Sequence, residues 1–147
     1  MRHGRSTIER LWQEYGLPAA DGLYFPDGRA FEVLVAPEEP TGLRVGGAFD
    51  VDRLLSEEPD LISHVDGLTA HELPGGDILW AGEGSHGSDG FFGRVTPGRG
   101  LVWAVFLEEV NPFGTIELSA RAGTFTSTLG VSITIDIDDP VRGEGRP

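Results

Sequence analysis

The segment Gly82-Glu83-Gly84-Ser85-His86-Gly87-Ser88-Asp89-Gly90 places acid, base and hydroxyl side chains among four glycines. Serine, histidine and aspartate are the residue types of a nucleophilic triad. A triad is defined by geometry, however, and residues this close in sequence converge only through a sharp loop. Gly84-Ser85-His86-Gly87 lacks the G-x-S-x-G spacing of a nucleophile elbow. The segment also has neither the lysine nor the spacing of a phosphate-binding loop. Glu83, His86 and Asp89 suit a divalent ion only if further ligands come from elsewhere, so no metal and no cofactor is expected. The segment then reads either as a polar hairpin loop or as a binding surface whose polar groups are Glu83, His86 and Asp89.

Two other sets of residues could do chemistry. Glu108-Glu109 are paired carboxylates just after an apolar run. Acids in such a place can act as general acid and base, but neighbours on a strand point to opposite faces unless the chain turns there. His64 and His71-Glu72 stand about two helical turns apart. That is too far to grip one ion as the pair in H-E-x-x-H does, so they read as unrelated histidines. The aromatics Trp80, Phe91, Phe92 and Trp103 lie in the same region as the glycine-rich loop. Trp80 and Phe92 are candidate interface anchors. Adjacent Phe91 and Phe92 in a strand must face opposite sides, so one of them needs a second layer to cover it.

These residues hang on a run of strands from Ile78 to Ile137. Leu101 to Leu107 is seven apolar residues rich in β-branched and aromatic types, which favours a strand buried on both faces. Ile78 to Ala81 and Phe91 to Val95 read as a hairpin around the glycine-rich loop. Asn111-Pro112 breaks the pattern. Phe113 to Ala120, Thr124 to Thr128 and Val131 to Ile137 follow as strands, the last with Val131, Ile133, Ile135 and Ile137 on one face. Short connections predict an antiparallel meander of about five or six strands.

Upstream, Ser6 and Glu9 have capping-box spacing, and Ile8, Leu11, Trp12 and Tyr15 form one apolar helical face. This helix is expected to cover a sheet face with Trp12. Leu23-Tyr24-Phe25 and Arg29 to Ala36 flank Pro26-Asp27-Gly28, a turn in which proline sets φ and glycine takes the left-handed position. Leu43 to Phe49 reads as a short strand. Asp50 or Asp52 is expected to cap a short helix through Leu54, Leu55 and Ser56. Leu61 to Leu73, interrupted by Gly67, is ambiguous between helix and strand.

The 147 residues predict one domain over residues 1–139 and a disordered tail over 140–147. There is no cysteine, hence no disulfide or thiol nucleophile. No apolar stretch follows the basic Met1-Arg2-His3-Gly4-Arg5, so neither a signal peptide nor a membrane span is expected and the protein reads as cytoplasmic. All 11 bases are arginine, a usage that fits a GC-rich bacterial genome, and against 24 acids they leave a net charge of −13. That sign repels phosphate backbones and anionic lipid, and favours a cationic partner.

The sequence therefore predicts an α+β domain, with an antiparallel and strongly curved sheet and the N-terminal helix on one face. With no catalytic signature, the expected function is a stoichiometric protein-binding module, such as an immunity protein or inhibitor of a basic toxin or nuclease. Glu83, His86, Asp89, Glu108, Glu109, Trp80 and Phe92 are its candidate binding residues. The alternative is a small-ligand binder or enzyme with its site at the Gly82–Gly90 loop.

Overall fold

Local sequence signals set most element boundaries in the computed structural model, which describes residues 5–141. Ser6 caps α1 (Thr7–Trp12), its Oγ accepting from the Glu9 amide at 3.0 Å. The helix stops three residues short of Tyr15, because Tyr15 takes φ 58° and its carbonyl accepts from Val65 N at 2.8 Å. Strand β1 (Gly16–Pro18) follows, then β2 (Gly22–Tyr24) and β3 (Ala30–Val35), paired across the expected turn in which Gly28 has φ 101°. After β4 (Leu43–Ala48), Asp50 caps α2 (Val51–Glu57) by accepting from Arg53 N at 3.1 Å. The ambiguous Leu61–Leu73 stretch forms two strands, β5 (Ile62–His64) and β6 (Asp66–Glu72).

The region after it divides between two sheets. Strands β7 (Ile78–Glu83), β8 (Gly90–Val95) and β9 (Leu101–Leu107) form successive hairpins. They belong to a seven-stranded antiparallel sheet of order β4-β3-β2-β9-β8-β7-β6. Strands β10 (Phe113–Ser119), β11 (Ala122–Ser127) and β12 (Ser132–Asp136) form a separate three-stranded sheet, and β1 pairs with β5 alone. The single meander expected from Ile78 to Ile137 is thus broken after β9. Asn111 takes φ 66° and Pro112 has no amide to donate, so the chain leaves the large sheet there and starts a new one.

The central strand explains the layering. Trp103, Val105 and Leu107 face a core shared with Phe113, Phe125, Ile133 and Ile135 of the small sheet. Ala104 and Phe106 face a second core with Ile8 and Trp12 of α1, Leu17 of β1 and Val51 of α2. The register slips by one residue between Arg94 and Val95, leaving Val102 without a partner across the ladder. This bulge puts Leu101 on the same side as Ala104 and Phe106. Phe91 and Phe92 obey the alternation expected of them: Phe91 packs in the core with Trp12, and Phe92 in the other. The two sheets are also locked by polar contacts. Trp103 Nε1 donates to Ile137 O at 3.0 Å, and Arg94 bridges Asp77 at 2.9 Å and Asp138 at 2.8 Å.

Antiparallel sheets with two short helices therefore make up the described chain. No helix among the described residues is long and apolar enough to cross a membrane. Pro140 is buried and Val141 packs against the first core. The rest of the expected tail, from residue 142, lies outside the described residues.

Candidate functional site

One end of the large sheet gathers several of the chemically capable residues. The β2–β9 register sets Gly22 opposite Phe106, which brings the turn before β2 beside the residues after β9. Asp21 Oδ1 accepts there from the Glu108 amide at 2.8 Å. The chain bends immediately after Leu107, so Glu108 and Glu109 both line one cleft instead of facing opposite ways. His86 and Asp89 from the glycine-rich loop line the same cleft, whose volume is about 300 Å³. Its apolar wall is Ala19, Leu61 and Phe106.

The loop is tied down by a polar cluster built on two buried residues, Ser63 and Asp89. Ser63 in β5 is fully buried, and its Oγ lies 3.0 Å from Ser85 Oγ and 3.3 Å from Asp89 Oδ2. The Ser85 amide donates to Ser63 Oγ at 2.9 Å. His86 Nδ1 sits 3.3 Å from Asp89 Oδ2. Asp89 is 2% exposed, and its Oδ1 is buried with no hydrogen-bond partner among the described residues. Gly84 makes the close approach possible, since a Cβ there would collide with the Asp89 carboxyl.

The connectivity decides what this cluster can do. In a nucleophilic triad the hydroxyl bonds to one imidazole nitrogen while the carboxylate bonds to the other. Here both serines lie on the carboxylate side, Ser63 by direct contact with Asp89 and Ser85 through Ser63. The set therefore fixes the loop and orients His86 without poising a nucleophile. Nor do the described residues include any group of three or more His, Asp or Glu placed to hold a metal ion.

The electrostatics are those of crowded acids. Burial raises the pKa of Asp21, against the lowering effect of the Glu108 amide, and the charge on Glu109 adds to the rise. Burial also raises Glu108, followed by the charges of Asp21, Glu109 and Asp89. The Tyr24 hydroxyl is pushed up by burial, then by Asp21 and Glu108, and it donates to Ala20 O at 2.6 Å. None of the arginine–carboxylate pairs among the described residues involves Asp21, Asp89, Glu108 or Glu109. Asp21 also lines a second groove of about 450 Å³ with Glu32, Asp50 and Glu57. Among the described residues the one cation lining that groove, Arg53, is already paired with Glu57 at 3.3 Å.

No family model, curated protein or solved structure matches this chain.

The remaining candidates lie elsewhere. Glu83 ends β7 on the side of Leu79 and Ala81, and no hydrogen bond or ion pair joins it to His86 or Asp89. Phe92 is 0% exposed, stacked on Phe125, so it is a core residue with no surface to give a partner. Trp80 is half-buried among Trp12, Tyr15 and Phe91, with the Arg99 guanidinium 5.2 Å from its ring centre, and does not line the cleft. His64 and His71 stand on separate strands, β5 and β6. Sequence reasoning missed Asp21 and Ser63. Each reaches the site through strand pairing distant in sequence, and neither sits in a motif.

Proposed function

We propose that this protein binds a basic protein partner stoichiometrically, as an immunity protein or inhibitor of a toxin or nuclease would, through the acidic face around Asp21, Asp89, Glu108 and Glu109. The observation that carries this reading is the gathering of Asp89, Glu108 and Glu109 in one cleft beside Asp21, where no arginine among the described residues pairs with them and burial and crowding raise the pKa of Asp21 and Glu108. Like charges held together in a partly desolvated place oppose folding, and such perturbed groups concentrate at functional sites. A cation from outside relieves the crowding. The net charge of −13 adds long-range steering toward such a partner. In the same reading the large sheet is strongly curved and the protein works in the bacterial cytoplasm.

The test compares the full chain with its D21N/E108Q/E109Q variant as bait in lysate of the source cells, at low and high salt. A basic protein held near one-to-one by the unmodified chain, released by salt and lost with the variant, supports the reading. A partner retained equally by the variant removes it.

A second reading rests on His86, whose Nδ1 lies against the buried Asp89 carboxylate. That contact orients an imidazole for proton transfer, which favours a small-ligand or catalytic site at the loop. Under this alternative, His86→Ala abolishes a small-molecule activity while leaving the capture of a basic protein unchanged.

A further inference from the structure

The cleft beside the glycine-rich loop has the dimensions and chemistry of a receptor for one side chain. At about 300 Å³ it stands at the lower limit for pockets that enclose whole small ligands, roughly 300–1,000 Å³. Ala19, Leu61 and Phe106 give it an apolar wall, suited to the methylene stem of a long cationic side chain. Glu108 and Glu109 are exposed at its rim. Asp89 is buried against it, with Oδ2 engaged by Ser63 and His86 and Oδ1 lacking any donor. A buried acceptor without a donor is costly and uncommon. The missing element is thus an N–H donor, and the surrounding carboxylates ask that it be positive.

We propose that this cleft receives an arginine side chain of the partner, its guanidinium placed between Asp89 Oδ1 and the carboxylate of Glu108. The inference rests on the partner-binding reading above. A guanidinium carries five donors in one plane and can serve two carboxylates at once, where an ammonium acts as a compact point charge. Binding requires the buried Asp89 carboxyl to become reachable; the His86 side chain, 65% exposed and 3.3 Å from Oδ2, can give way, since exposed side chains change rotamer within nanoseconds.

The experiment is an NMR titration of the ¹⁵N-labelled full chain with the capped peptide acetyl-Gly-Arg-Gly-amide and its lysine and citrulline counterparts. The arginine peptide is expected to shift the amides of Ser88, Asp89, Glu108 and Glu109 in a saturable way. The neutral, near-isosteric citrulline peptide leaves them unmoved, and lysine binds more weakly. Asp89→Asn weakens the arginine peptide about tenfold, the value of one charge-assisted hydrogen bond. Should that buried substitution unfold the chain, E108Q/E109Q at the exposed rim gives the same direction of change. Absence of shifts at these amides, or equal shifts with citrulline or lysine, overturns the proposal. Butylguanidinium binding more tightly than the peptide also overturns it, by assigning the cleft to a free small molecule. If the arginine peptide fails while a basic protein is still lost on D21N/E108Q/E109Q, the partner reading stands and only the arginine pocket falls. If the peptide binds but no such protein is captured, the pocket stands and the partner reading falls.

Discussion

The Glu108 amide donates to Asp21 Oδ1 at 2.8 Å, fastening the turn before β2 to the end of β9. The same bond holds two like charges together. Asp21→Asn keeps an acceptor at Oδ1 and removes one of those charges. An acid whose pKa is raised in the fold adds stability only while protonated. That contribution is complete below the unfolded pKa of about 3.9 and is lost as pH rises through the folded value. Relative to Asp21→Asn, the unmodified chain therefore loses stability from about pH 4 upward. At pH 7 the variant is expected to be the more stable, by no more than about 0.5 kcal/mol for a group only half-buried and partly screened by solvent. Urea unfolding at pH 4 and pH 7 checks this. A variant weaker than the unmodified chain at pH 7 contradicts the account of crowded acids.

The polar cluster under the loop gives a separate expectation. Ser63→Ala removes the acceptor of the Ser85 amide and one donor to Asp89. Stability should fall by about 1–2 kcal/mol, and the Ser85 amide should exchange with solvent much faster. Unchanged exchange at Ser85 would show that the loop is held by other contacts.

Phe125 joins the small sheet to the large one. Its ring lies 4.1 Å from that of Phe92, within 9° of parallel, and both are fully buried. Phe125→Ala is expected to cost about 3–5 kcal/mol, among the largest effects of any single truncation in this chain. Chemical denaturation measures it. A loss under about 1 kcal/mol would mean that the two sheets do not share a tightly packed core.

Gly67 has no room for a side chain. A Cβ there would overlap Trp80 Nε1, and Trp80 is ringed by Trp12, Tyr15 and Phe91. Gly67→Ala is expected to displace the indole, shift tryptophan fluorescence and cost about 1–3 kcal/mol. An emission spectrum identical to that of the unmodified chain would refute the close packing.

What could be read from the sequence was local. The Ser6 and Asp50 caps, the Pro26-Asp27-Gly28 turn and the opposite faces of Phe91 and Phe92 all follow from residue type and period. The partition between two sheets was not legible, because a period of two says which residues share a face and not which strand lies beside which. The same limit hid the site. Glu108 and Glu109 were visible as a pair, yet their convergence depends on the bend after Leu107. Asp21 lies 87 positions away from Glu108 and meets it only through the pairing of β2 with β9. Ser63 likewise reaches Ser85 and Asp89 because β5 pairs with β1 beneath the loop.

The pairing of Gly22 with Phe106 also orders events in time. Closing so long a stretch of chain is entropically expensive and slow compared with forming the local hairpins. The β7–β8–β9 hairpins can form as the chain is made, whereas β2 waits for β9 before it can dock. The acidic face is shared between those two strands, so it comes into being only at that late step. A nascent chain not yet extended past Glu109 has no such face, and a partner recognising it would take only molecules in which β2 has already joined β9.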